Sequence, residues 1–153
     1  MDLLKFLPVA RAMAELSKDP AVKLAALIID DDGNLLSSGW NGFPRGVMDA
    51  EHRLTNRGIK LLFVVHAEAN AIAQAARTGA RLKGASIIIT ERFPCSSCAG
   101  LIIQSGIKRV YAPLMDPSTT NSEWFESQEV SAKMFVEAGV GIFIYDSQGK
   151  IIK

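Results

Sequence analysis

The chain is poor in cysteine, with two in 153 residues, both inside Pro94-Cys95-Ser96-Ser97-Cys98. A disulfide framework is therefore not its organising principle, and Cys-x-x-Cys points to metal or redox chemistry. Histidine is as scarce, with only His52 and His66. No apolar run approaches the roughly 18 residues of a membrane helix. The start, Met1-Asp2-Leu3-Leu4-Lys5, is too mixed for a signal peptide and is soon interrupted by Pro8, so a cytoplasmic location is expected. Charge of one sign is also lacking: 17 Lys and Arg nearly cancel 16 Asp and Glu, giving +1. This disfavours a broad basic face for long nucleic acid but leaves room for a small anionic substrate. Internal repeats, low-complexity segments and interdomain linkers are absent, and the length suits one domain over residues 1–153.

What is present is an alternation of helix and strand. Apolar residues from Leu3 to Leu16 recur near helical spacing, up to the stop at Ser17-Lys18-Asp19-Pro20. Lys23 to Asp30 and Leu35 to Trp40 read as two strands joined at Asp31-Asp32-Gly33-Asn34, a hairpin. A loop follows from Asn41 to Gly46, and Asp49 to Lys60 reads as loop with a short helix. Then come a helix from Val65 to Arg77 closed by Gly79, a strand from Ala85 to Thr90, and a helix from Cys95 to Ser105 closed by Gly106. A strand from Lys108 to Ala112, a connection from Pro113 to Asn121, a helix from Ser122 to Ala138 and a strand from Val140 to Tyr145 complete the order, with an exposed tail around Gly149. This alternation predicts an α/β fold with helices covering a mixed sheet. The helix between the last two strands predicts that they run parallel, joined right-handedly.

Chemistry concentrates in His66-Ala67-Glu68 and Pro94-Cys95-Ser96-Ser97-Cys98. His66, Cys95 and Cys98 are three zinc donors, and three protein ligands leave a fourth tetrahedral position open, as in catalytic zinc sites. Both motifs fall at helix starts, where partial positive charge favours thiolates and Pro94 costs little. Two such helices, entered from one edge of the sheet, can bring the three donors to one metal. Glu68 points in another direction and can exchange protons with a water that zinc acidifies to a pKa of about 7. Read alone, Cys-x-x-Cys also suits a structural zinc half-site or a redox pair. His52 is then the remaining histidine for a closed site, and the redox option lacks a thioredoxin-like context.

The paired motifs resemble the signature of zinc-dependent nucleobase deaminases. Ser17-Lys18-Asp19-Pro20, Gly39-Trp40-Asn41-Gly42-Phe43-Pro44-Arg45-Gly46, Val64 to Ile72 and Ile103 to Tyr111 extend the resemblance to the deoxycytidylate (dCMP) deaminase family. It implies a three-layer α-β-α cytidine deaminase-like fold with a mixed five-stranded sheet, and Zn2+ on His66, Cys95 and Cys98. It implies Glu68 as the proton shuttle, to N3 of the cytosine and then to departing ammonia. Asn41 would contact the sugar and base region, the Ala67 N–H would meet the base carbonyl, and Phe93 would line the base pocket. Ser17, Lys18, Lys23 and Arg45 are candidates for the phosphate, and Tyr111 for the substrate end of the pocket. Departures lie at Ala21-Val22, Leu24-Ala25-Ala26 and Ala112 to Asp116, where many or several relatives place other groups.

The implied activity is hydrolysis of dCMP, or a 5-substituted dCMP, to the uracil nucleotide and ammonia. Two alternatives stand beside it: deamination of another base, nucleoside or tRNA base, and a non-catalytic zinc-binding module with His52 or a partner in the fourth position. The resemblance further implies a homo-oligomer, a hexamer or a dimer, and places the region where some relatives bind nucleoside triphosphate effectors at Gly42 to Gly46. No cysteine remains for a second zinc.

Overall fold

The structure, a computed structural model, describes residues 1–153. A 3-10 turn (Leu3–Phe6) leads into α1 (Leu7–Ala14), followed by β1 (Ala25–Ile29), β2 (Leu35–Trp40), α2 (Glu51–Thr55) and α3 (Arg57–Phe63). Then come α4 (Ala67–Thr78), β3 (Ser86–Ile89), α5 (Ser96–Gln104), β4 (Arg109–Pro113), α6 (Ser122–Glu137) and β5 (Gly141–Tyr145). The five strands form one sheet in the order β2-β1-β3-β4-β5. β1 is antiparallel to both neighbours, while β3, β4 and β5 run parallel. The hairpin and the parallel final pair are as expected from the sequence, and the β3–β4 pair adds a second parallel step through α5.

Strand alternation divides the core. Ala26, Ile28, Ile87, Ile89, Val110 and Ala112 face one side, where Ala67, Ala71 and Ala75 of α4, Ala99 and Ile102 of α5, and Phe135 of α6 cover them. Leu27, Ile29, Ile88 and Tyr111 face the other side, under Leu3, Leu4, Leu7 and Ala10. The result is the three-layer α-β-α sandwich, and no helix is long and apolar enough to cross a membrane.

Two segments differ from the sequence reading. The single helix expected over Leu3 to Leu16 begins as a 3-10 turn, because Pro8 has no N–H to continue an α-helical ladder and instead sits in the first turn of α1. The stretch from Asp49 to Lys60 holds parts of two short helices, the second capped by Asn56, whose Oδ1 accepts from Ile59 N at 3.1 Å. The C-terminal tail also folds back, with Ile151 bridging to Tyr145.

The strand directions decide where the site lies. β2 and β3 flank β1 and are both antiparallel to it, so their C-terminal ends share one edge. The chain leaving β3 enters α5 at that edge, and the segment that returns from β2 enters α4 there. Residue 42 pairs with 65 in an isolated bridge that fixes this entry, with Val65 N donating to Gly42 O at 2.8 Å. Crevices at the carboxyl ends of strands are the usual ligand positions in open α/β sheets.

Two contacts set the height of the entry. Gly39 of β2 lies against the α4 backbone so closely that a Cβ there would fall 2.3 Å from Ala71 N and 2.5 Å from Ala67 O. Asp19, 5 % exposed, accepts from Ala21 N at 2.8 Å, Val22 N at 3.2 Å and Lys60 Nζ at 3.1 Å, tying the turn after α1 to α3. Burial opposes ionisation of this carboxyl, but the three donors outweigh it and hold its pKa below the usual value.

Gly39→Ala is expected to push α4 off β2 and to lower unfolding stability by about 2 kcal/mol in urea denaturation; an unchanged midpoint would contradict the close approach. Asp19 makes a pH-dependent contribution. Its depressed pKa stabilises the fold above the unfolded value of about 3.9, and that stability is lost as pH falls from there through the lower folded value. The stability gap between wild type and Asp19→Asn, roughly 2 kcal/mol near pH 7, should therefore shrink in acid. A gap that is constant down to pH 3 would contradict this.

Candidate metal centre and active-site cleft

His66 is the N-cap of α4 and Cys95 the N-cap of α5. Extended backbone at both caps turns the two side chains away from their own helices, and Cys98 follows Cys95 by one helical turn. His66 Nδ1 stands 3.5 Å from Cys95 Sγ and 3.5 Å from Cys98 Sγ, and the three donor atoms lie within 4.8 Å of one another. A tetrahedral zinc with bonds of about 2.3 Å to sulfur and about 2.0 Å to nitrogen separates those donors by roughly 3.5 Å. The residues present therefore fit zinc in both donor type and spacing. His52, by contrast, is exposed on α2 and takes no part in the cluster, so no second histidine closes the site.

Without metal the cluster shares its protons. A hydrogen bond from Cys98, against the opposing effect of burial, and another from His66 hold the Cys95 thiol down to about 4. Cys98 moves up, because it is the donor in that pair and is buried near Glu68. The thiols titrate as a pair, in which the first proton leaves easily and the second is held. His66 is raised, first by its hydrogen bond to Cys95. A cation that takes both thiolates has to displace the proton that the pair retains.

Glu68 sits in the first turn of α4, 6 % exposed, and lines the cleft beside His66. Burial pushes its carboxyl pKa up, with its own N–H and the His66 charge pulling the other way. A carboxyl displaced toward neutrality beside three metal donors is suited to taking and returning a proton. Ala67 is fully buried at the first position of α4, where backbone N–H groups have no partner within the helix.

The cleft above the cluster has a volume of ≈ 620 Å³. Asn41 and Phe93 line it, both buried. The Asn41 side chain is also structural, since Oδ1 accepts from Leu24 N at 2.8 Å and Nδ2 donates to Val22 O at 2.8 Å. The remaining residues expected to meet substrate are not brought to this lining. Ser17 Oγ donates to Asn41 O at 2.7 Å and is buried inside the loop. Lys18 is exposed and pairs with Asp49 at 2.7 Å. Arg45 donates to Gln74 Oε1 at 2.9 Å beside a separate groove. Lys23 donates to Ser17 O at 2.9 Å and borders an adjoining cavity of ≈ 340 Å³. Tyr111 stacks on Phe143 at 4.6 Å on the α1 side of the sheet, because Val110 and Ala112 take the metal side. Strand parity in β4 carried that signal.

Residues that motif reading passed over complete the cleft. Arg57, Lys60 and Arg92 supply its positive charge, and only Lys60 is engaged in an ion pair, with Asp19. The Arg92 charge reaches far enough to oppose protonation of His66. Arg92 follows Glu91, which adopts a left-handed backbone at φ 58, a strained setting for a non-glycine residue next to a functional loop. Trp124 of α6 presents an edge-on contact to the His66 ring at 5.4 Å and 76°. Its only signal in the sequence was its place on a helix.

Comparison with known proteins agrees with this arrangement. The family model described as cytidine and deoxycytidylate deaminase zinc-binding region matches residues 2–114. An uncharacterized deaminase in the luxG 3′ region of Aliivibrio fischeri is 40 % identical over 138 residues, covering 90 % of this chain and 89 % of that protein. Deoxycytidylate deaminase of Mus musculus is 35 % identical over 145 residues, covering 88 % of this chain and 74 % of its own. The crystal structure of a dCMP deaminase from cyanophage S-TIM5, in complex with dCMP and dUMP, aligns with a TM-score of 0.72 at 25 % identity, over 92 % of this chain and 94 % of that one. The chain therefore belongs to the zinc-binding family of cytidine and deoxycytidylate deaminases.

Proposed function

We propose that the protein is a hydrolytic deaminase that converts dCMP to dUMP and ammonia. The observation that carries this reading is the three-donor cluster, beside a buried carboxyl, at the floor of a cleft whose wall bears Arg57 and Arg92. Its relatives from mouse and from the cyanophage are named for the same reaction.

His66, Cys95 and Cys98 would hold the zinc, which would supply the Lewis acidity that makes water nucleophilic near neutral pH. Glu68 takes a proton from the attacking water and passes it to N3 of the cytosine ring. The same carboxylate then takes the second proton from the hydroxyl added at C4 and delivers it to the leaving nitrogen, so that C4=O forms as the C4–N bond breaks and ammonia departs. Glu68 is 6 % exposed, so its charge acts in surroundings less polar than bulk water. The Ala67 N–H meets the base carbonyl, and Asn41 and Phe93 hold the base and sugar. Arg57 and Arg92 meet the phosphate, a task the sequence alone suggested for Ser17, Lys18, Lys23 and Arg45. Arginine suits it, because its planar fork pairs with phosphate oxygens two at a time. A cytoplasmic, homo-oligomeric enzyme completes the proposal.

Glu68→Gln should retain zinc, measured by metal analysis, while ammonia release from dCMP falls at least 10²-fold; turnover near wild type would remove Glu68 from the proton path. Phosphate recognition is tested by comparing dCMP with deoxycytidine. kcat/KM should favour dCMP, and Arg92→Ala should erase most of the difference. Equal specificity constants in wild type would contradict a nucleotide substrate.

A further inference from the structure

The metal donors come from α4 and α5, yet much of what fixes them comes from α6. The matched family region ends at residue 114, whereas α6 spans Ser122–Glu137. Trp124, Ser127, Gln128, Ser131 and Phe135 share one face of this helix at spacings of three and four residues. Phe135 fills the core beneath. The three residues nearest the N-terminus of α6 each touch a different part of the metal-binding segments.

Ser127 Oγ accepts a hydrogen bond from Ser96 N at 2.9 Å and lies 3.1 Å from Ser96 Oγ. Ser96 is the residue after Cys95, and its N–H belongs to the first turn of α5, where no partner exists within the helix. Cys95 provides no side-chain cap of its own. Ser127 therefore acts as a cap supplied from another helix. Gln128, 3 % exposed, donates from Nε2 to Phe93 O at 3.0 Å, which pins the segment leading into Pro94-Cys95 from its other side. Trp124 sets its edge against the His66 ring. A shift of the backbone on either side of Cys95, or a swing of the His66 ring, has to break at least one of these contacts.

We propose that Ser127 and Gln128 are positioning residues for the metal centre: α6 clamps the segment on both sides of Cys95, so that metal affinity and ligand geometry depend on a helix that supplies no ligand. Outer partners of metal ligands typically change affinity or activity about 10- to 100-fold when removed. Removing such a bond also costs folding stability, so the clamp is read from metal affinity and ligand geometry rather than from melting alone. The inference rests on His66, Cys95 and Cys98 being the metal ligands.

The test uses the full chain, loaded with zinc or with cobalt, and compares wild type with Ser127→Ala, Ser127→Thr and Ser127→Ala/Gln128→Met. Zinc affinity is read by competition with a chromophoric chelator, ligand geometry by the thiolate-to-cobalt absorption bands, and folding by thermal melting of the metal-free protein. The double variant should lose about 10- to 100-fold in zinc affinity, with altered cobalt bands, while the metal-free protein still melts cooperatively. Ser127→Thr, which keeps the hydroxyl, should stay close to wild type. If the double variant does not fold, Ser127→Ala alone decides, because it removes one hydroxyl from a half-buried position. Folded variants with wild-type zinc affinity and cobalt bands would overturn the clamp. Zinc binding that survives both His66→Ala and Cys95→Ser at wild-type affinity would instead overturn the ligand reading.

Discussion

The structure turns on holding one imidazole and two thiols within 4.8 Å of one another at the meeting point of two helices. Donors of this kind do not gather without cause: thiolates are costly to bury unless hydrogen-bonded, paired or bound to a metal. The sheet order brings them together. β1 runs against β2 and β3, so two strands separated by a third deliver their chains to the same edge. Gly39 then lets α4 approach β2 more closely than any residue with a side chain would allow. The donors are brought together by backbone geometry first and by side-chain chemistry second.

The metal centre and the wall of the cleft have different physical characters. The centre, with two buried thiols and a half-buried imidazole, is built on helix starts and fastened to the core through Ala67, Ala71 and Ala99. The wall is built largely from loops and short helices: the turn after Asp19, α3, the segment at Arg92–Phe93 and residues 119–121, joined by Trp124 and Gln128 from α6. Chemistry that must be rigid is placed on the sheet's helices, and recognition is placed on connections that vary more easily. Arg57 and Arg92 on that wall give a small anion local positive charge in a chain whose total is only +1.

This division explains what could be read from the sequence. His66, Glu68, Cys95 and Cys98 were legible because metal chemistry restricts residue type and helix starts restrict spacing. The strands were legible because apolar runs such as Ile87-Ile88-Ile89 are bounded by turn residues. Tyr111 was misplaced for want of one comparison, since strand parity sets it opposite Val110 and Ala112. Ser17, Lys18 and Arg45 have side chains of the right chemistry, but each is occupied by a neighbour that only tertiary structure supplies: Asn41, Asp49 and Gln74. Ser127 and Gln128 had no local signal, because their partners lie 31 and 35 residues away in the chain.

The central claim is a zinc held by three protein ligands with one position left for water and substrate. X-ray absorption at the zinc edge of the zinc-loaded chain tests it most directly. The account predicts two sulfur scatterers at about 2.3 Å, one imidazole nitrogen at about 2.0 Å and one further light ligand that is not a second imidazole. A first coordination sphere of two sulfurs and two imidazoles, with His52 completing it, would contradict the account and make the site structural.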